Sequence, residues 1–289
     1  MAIIHSHRAG IEYLEHCALR AADDRLVFVK SRDAVDAHFS IPGLNTAAIL
    51  LGPGTSMTQA AARFCAEAGI LVAFAGGGGT PLYLASIGEY REPAYSRNWI
   101  AMWEDEPARL KAAKQFQLRR IELITKHWKS LDGVTPDPSA ATHAFLTALP
   151  RCADTADLLA AEGLLTKSLY AELSRACKTA FTRKPKTADF ANEFLDMGNY
   201  LAYGLAACTL WVLGIPFSYP LVHGKTRRGA LVFDLADVVK DALVMPNAFI
   251  AATKGESESK ARHRILCALQ SADALTQLFR VVQEQISER

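Results

Sequence analysis

The chain has no strong imbalance of charge: 32 Lys and Arg face 30 Asp and Glu, a formal net charge of +2. That excludes a strongly basic nucleic-acid arm and confines any nucleic-acid contact to local clusters of Lys and Arg. It also lacks closely paired cysteines. Cys17, Cys65, Cys152, Cys177, Cys208 and Cys267 never fall at Cys-x-x-Cys spacing, so a zinc ribbon or thioredoxin-type motif has no support. Sparse thiols suit a reducing compartment, where most pack as small apolar groups. The opening run from Met1 to Arg8 lacks the apolar stretch of a signal peptide. Internal repeats and low-complexity segments are absent too.

Two glycine-rich turns fall short of nucleotide motifs. Gly52-Pro53-Gly54 precedes a helical pattern, but Met57 stands where a dinucleotide fingerprint needs its third glycine. Gly76 to Gly79 leads into Thr80-Pro81, not the Lys-Ser/Thr of a P-loop. Both read as structural turns. Leu201 to Phe217 carries no charge over seventeen residues, but a spanning helix needs about 20 apolar residues. With Gly204, Gly214 and Pro216 inside it, this run is expected to be a buried helix of a soluble protein.

With 50% hydrophobic residues over 289, the chain can build a large core and is not disordered. Its first 85 or so residues read as β-rich: Arg25–Lys30, Ala47–Leu51 and Ile70–Phe74 are apolar runs bounded by turn formers. One helix is embedded among them, capped by Thr55 or Ser56 and ending at Gly69. Residues 86–98, with Gly88 and Pro93, read as a linker. From Trp99 onward, apolar residues recur at three-to-four spacing, with breaks near Asp105-Glu106-Pro107, over 131–138 and at 183–186. The long helix over 189–213 follows, and helices resume from about Ala230. The expectation is an α+β chain with a β-rich domain over 1–85 and an all-α domain over 99–289.

The chemistry concentrates between His223 and Asp237. Asp234 and Asp237, three apart, point from one face of a strongly apolar helix that contains Leu231, Val232, Phe233, Leu235, Val238 and Val239. Burying two carboxylates costs several kcal/mol each unless something compensates. A metal ion, an arginine, or exposure along a narrow polar stripe continued by Asp241 would each do so. His223 offers an imidazole just ahead, and Lys225, Arg227 and Arg228 place a cationic loop beside the carboxylates. Phosphate recognition asks for positive groups near metal ligands. Further basic groups are Arg183-Lys184-Lys186, Arg119-Arg120 with Lys126 and Lys129, and Lys260-Arg262-His263-Arg264. Each alone fits a solvated face.

The segment His223-Gly-Lys-Thr-Arg-Arg-Gly-Ala-Leu-Val-Phe-Asp234-Leu-Ala-Asp237 closely resembles the signature of the CRISPR-associated spacer-acquisition integrases, the first of the Cas proteins. The segments 192–206, 51–61 and 76–82 are similar to subtype I-F members. The resemblance implies a metal site made by a glutamate of an earlier helix together with His223, Asp234 and Asp237. Glu162 matches that glutamate, with Gly163 and Lys167 following as the family pattern has them; Asp157 and Glu172 are the neighbouring alternatives. These four residues would hold Mg²⁺ or Mn²⁺, since hard oxygens and one imidazole suit those ions. Lys225, Arg227 and Arg228, with Lys167 and Arg264, are the expected DNA contacts. The resemblance further implies a prokaryotic cytoplasmic enzyme joining a 3′-OH DNA end to a CRISPR repeat, or hydrolysing DNA. It would work as a homodimer through the β-domain. Its partner would be the second Cas protein, fused to a helicase-nuclease.

Overall fold

The computed structural model describes residues 10–32, 35–43, 45–74, 82–84, 93–129, 131–184, 189–224 and 229–287. The chain is α+β, β-rich first and helical after, as expected. Two four-stranded sheets come first. In one, β1 (Gly10–Leu14), β5 (Thr46–Leu51) and β7 (Leu71–Phe74) are parallel, and β8 (Leu82–Leu84) is antiparallel to β7, in the order β1-β5-β7-β8. In the other, β2 (Ala18–Ala22), β3 (Arg25–Arg32) and β4 (Val35–Ile41) form an antiparallel meander. The short β6 (Ser56–Met57) pairs parallel with β2.

Every residue of β5 is buried, the mark of a parallel strand covered on both faces. Ala48 and Leu50 face the helical core; Ile49 and Leu51 face the second sheet and α1 (Gln59–Glu67). The β-rich part therefore shares its core with the helices. The charge-free run forms the second half of a buried helix, α6 (Phe190–Val212), that crosses β5, and its last five residues lie beyond the helix end. A Cβ at Gly204 would stand 2.9 Å from Leu50 Cδ2, so glycine lets the helix approach the strand without displacing that leucine side chain. On the other side of the junction, buried Arg262 pairs with Glu15 of the β-rich part, and its guanidinium lies 4.6 Å from the Tyr13 ring centre.

The remaining elements are α2 (Pro93–Glu104), α3 (Glu106–His127), α4 (Ser139–Ala148), α5 (Thr155–Ala176), α7 (Ala230–Val239), α8 (Met245–Thr253), α9 (Glu258–Ser271) and α10 (Ala274–Ser287). Three expectations are corrected. The embedded helix is capped by Thr58, whose hydroxyl accepts from Ala61 N, because Ser56 and Met57 are drawn into pairing with β2. The segment read as a linker over 86–98 is helical from Pro93, a residue the first helical turn accommodates because its missing N–H is not needed there. The helical block over 140–181 is two helices, split by a 3₁₀ turn at Leu149–Arg151 and restarted by the Asp154 cap. No single described helix is long and apolar enough to cross a membrane.

One irregularity shapes the site. Helices α7 and α8 are continuous through a π-helical stretch, Lys240–Val244, where Met245 N–H bonds to Lys240 O. Pro246 has no N–H to bond back and its ring crowds the preceding turn, which accounts for the widened stretch here.

Candidate metal centre

On α5 the buried stripe runs Leu158, Glu162, Leu165, Leu169 and Leu173. Glu162 thus occupies a position where the helical period calls for an apolar side chain. It is 8% exposed, and so is aimed into the protein. From α7 come Asp234 and Asp237, 7% and 5% exposed, and from the π-helical stretch Asp241 at 0%. An exposed polar stripe is thereby ruled out as the compensation. Gly229 opens α7 at φ +67°, a left-handed conformation natural to glycine, and turns the chain from the His223 loop into the helix.

Glu162, His223 and Asp237 converge from α5, the loop and α7. One ligand atom from each lies within 4.8 Å of the other two. Asp234 does not join them. Its Oδ2 accepts from Leu221 N at 2.6 Å and Val222 N at 3.1 Å; its Oδ1 accepts from His223 N at 3.1 Å and His223 Nδ1 at 2.7 Å. Four donors occupy both oxygens, which ties this expected ligand to the His223 loop and leaves it outside the three-residue cluster. Because a carboxylate only accepts, Nδ1 carries the proton, and in the neutral ring Nε2 keeps its lone pair. This hydrogen bond raises the His223 pKa above the usual 6.5, with burial working against it.

The compensating cation is Arg120 of α3, 1% exposed. Its Nε donates to Asp241 Oδ2 at 3.0 Å and its Nη2 donates to the same oxygen. Nη2 also reaches Thr166 Oγ1 at 2.9 Å, while Nη1 reaches Gln117 Oε1 at 3.1 Å and Glu162 Oε1 at 3.0 Å. Lys240 donates to Asp237 Oδ1. Burial raises the Glu162 pKa, and the charge of Asp237 adds to it against Arg120. For Asp237 burial pulls upward too, but Lys240 and Arg120 outweigh it and hold the carboxyl below its ordinary 3.8. Four carboxylates facing two cations leave two formal negative charges, which one divalent cation would cancel. Glu162 Oε2 is buried and has no hydrogen-bond partner. A donor set of two carboxylates and an imidazole, with one oxygen left open, fits Mg²⁺ or Mn²⁺.

The CRISPR associated protein Cas1 family model matches residues 14–265. The chain belongs to the Cas1 family. The CRISPR-associated endonuclease Cas1 of Pectobacterium atrosepticum is 41% identical, over 99% of this chain and 94% of that protein. Its counterpart in Pseudomonas aeruginosa is 42% identical, over 94% and 91%. Among solved structures, a TtCas1–DNA complex superposes with a TM-score of 0.71 at 22% identity, covering 96% of this chain and 91% of that one. A casposase bound to integration product gives 0.74 at 14%, covering 97% and 91%. These two likenesses concern the fold.

In this Cas1 chain the other site expectations fall out unevenly. Asp157 accepts from Ala153 N at the start of α5, and Glu172 accepts from Asp137 N and pairs with Arg175, so neither belongs to the cluster. Lys167 is exposed on α5 along a groove of about 1010 Å³ that begins at Gly163, next to Glu162. Arg264 is engaged by Glu256, 3.1 Å from its Nε, and by Asp132, 3.0 Å from its Nη1. Lys225, Arg227 and Arg228 lie outside the described residues. Sequence reasoning took Arg120 for part of a surface cluster. Its spacing from Ala113, Phe116 and Ile124, on the apolar face of α3, carried the signal of burial.

Proposed function

We propose that this Cas1 protein is a DNA integrase of CRISPR adaptation, transferring the 3′-OH end of a foreign fragment onto a phosphodiester of the repeat, with endonuclease activity at the same site. The observation that carries the reading is the meeting of Glu162, His223 and Asp237 from three segments, with one buried Glu162 oxygen left unpartnered. These three would hold Mg²⁺ or Mn²⁺, and Asp234 would orient His223. When bound, the ion supplies Lewis-acid polarisation of the scissile phosphate and eases deprotonation of the attacking hydroxyl. The new O–P bond replaces the one broken, so no nucleotide is spent. Arg120 and Lys240 hold the carboxylates in place and limit their mutual repulsion. Lys167, and with it Lys225, Arg227 and Arg228, would bind phosphates, with Arg264 secondary because its guanidinium is already paired.

The reading includes a homodimer through the β-rich part, working in the prokaryotic cytoplasm with the second Cas protein as partner. The exposed Phe39 on edge strand β4, stacked on Phe28 at 4.9 Å, supports an interface there. Hydrolysis alone is the second reading, favoured by the endonuclease names of the relatives. A strand-transfer assay with Mn²⁺, a repeat-bearing duplex and the partner protein separates them. A 3′-OH donor is expected to be joined, and a dideoxy end to bind without joining. Hydrolysed fragments alone, or equal joining of the dideoxy donor, would replace the integrase reading with the nuclease one.

A further inference from the structure

The loop that delivers His223 has little structure of its own. Gly214, Pro216, Pro220 and Gly224 interrupt it. Its internal backbone support includes a long 3.4 Å bond from Tyr219 N to Pro216 O. Asp234 gathers the amides of Leu221, Val222 and His223 from one side. From the other side come two indoles of α2. Trp99 Nε1 donates to Tyr219 O at 3.1 Å, and Trp103 Nε1 donates to Pro220 O at 2.6 Å. An indole has one donor, so each tryptophan selects one carbonyl. Five consecutive residues, 219–223, are thus held by two carbonyls and three amides, and the last of them is the imidazole ligand.

The indoles are firmly seated. Trp99 is fully buried in the main core and packs on Phe116. The ring of Trp103 meets Tyr219 edge-on at 5.1 Å, and the Arg109 guanidinium lies 5.1 Å over it. The preceding turn of α2 is tied to α10 through Asn98 Nδ2 and Ile286 O at 3.3 Å. We propose that Trp99 and Trp103 are positioning residues of the metal centre: α2 straps the loop so that His223 stands where Glu162 and Asp237 can share an ion with it. The proposal rests on reading those three side chains as the metal site.

The test uses the full chain, Mn²⁺ alone as ligand, and Trp103→Phe, which keeps an aromatic ring and removes the donor. Mn²⁺ affinity is read from the electron-paramagnetic signal of the free ion, and loop protection from hydrogen exchange of peptides covering 217–224 in metal-free protein. Loss of one net hydrogen bond predicts a Kd about three- to tenfold higher. Exchange at 221–223 is expected to rise by a similar factor, with α5 and α9 unchanged. If Trp103→Phe folds poorly, 3-benzothienylalanine at 103 preserves the bicyclic shape without the N–H and must give the same result. Wild-type Kd and wild-type exchange in either variant overturn the proposal, as does faster exchange spread evenly over the chain. Glu162→Gln is the control. If it leaves Mn²⁺ affinity intact, the metal-site reading fails, and the metal-free exchange at 221–223 still decides whether the strap exists.

Discussion

Replacing Arg120 by Met should be among the most damaging single changes at the site, and its cost can be reasoned from what is left behind. Asp241 is 0% exposed, with its Oδ1 already unpartnered; without Arg120 its Oδ2 loses its guanidinium as well. Glu162 Oε1 loses the ion pair at 3.0 Å, and Thr166 and Gln117 lose a donor. Removing one member of a buried ion pair costs about 3–5 kcal/mol, because the remaining charge stays desolvated. Against a total stability of about 5–15 kcal/mol that is a large share. At about 2 °C per kcal/mol for a chain of this size, the midpoint should fall by about 6–10 °C. Adding Asp241→Leu removes the stranded charge, so the double variant should recover part of the loss, with a coupling of about 1–3 kcal/mol. Urea unfolding followed by circular dichroism measures all four corners of the cycle. A loss below about 1 kcal/mol in Arg120→Met, or strict additivity with Asp241→Leu, would refute Arg120 as the compensating charge.

Gly163 sits mid-helix in α5 without a left-handed φ, and an added Cβ meets nothing within 4 Å. Gly163→Ala should therefore stabilise the protein by about 0.5–1 kcal/mol in urea unfolding, and a loss instead would contradict the open space described there. The pH response follows from His223, whose folded pKa is raised above 6.5. A raised folded value means its stabilisation is complete below about pH 6.5 and is lost as pH climbs through the folded pKa. The metal-free midpoint should fall across that window while Mn²⁺ affinity rises, because only the neutral imidazole binds the ion. Asp234→Asn should flatten the stability slope and move the rise in Mn²⁺ affinity to lower pH, and a flat Mn²⁺ affinity in the unmodified protein would count against His223 as a ligand.

The sequence by itself determined the layering and the chemistry on offer. Short apolar runs bounded by turn formers up to Phe74 and three-to-four spacing after Trp99 give the β-rich and helical parts. The seventeen-residue stretch without charge marks the end of the helix that becomes central. Asp-x-x-Asp after His223 places two carboxylates on one side of α7 because residues three apart are neighbours there. Which of the two meets Glu162 was decided only by tertiary structure. At about 100° per residue, positions three apart differ by about 60° around the axis. That angle sends Asp234 to the amides of the His223 loop and Asp237 to Glu162. The same holds for Arg120. The helical period places it on the apolar face of α3, but only the packing of α3 against the π-helical stretch brings Asp241 to it. Periodicity along a chain encodes directions around one helix. The partner met along each direction depends on which other segment packs there, and for Glu162, His223 and Asp237 those segments lie up to 75 residues apart.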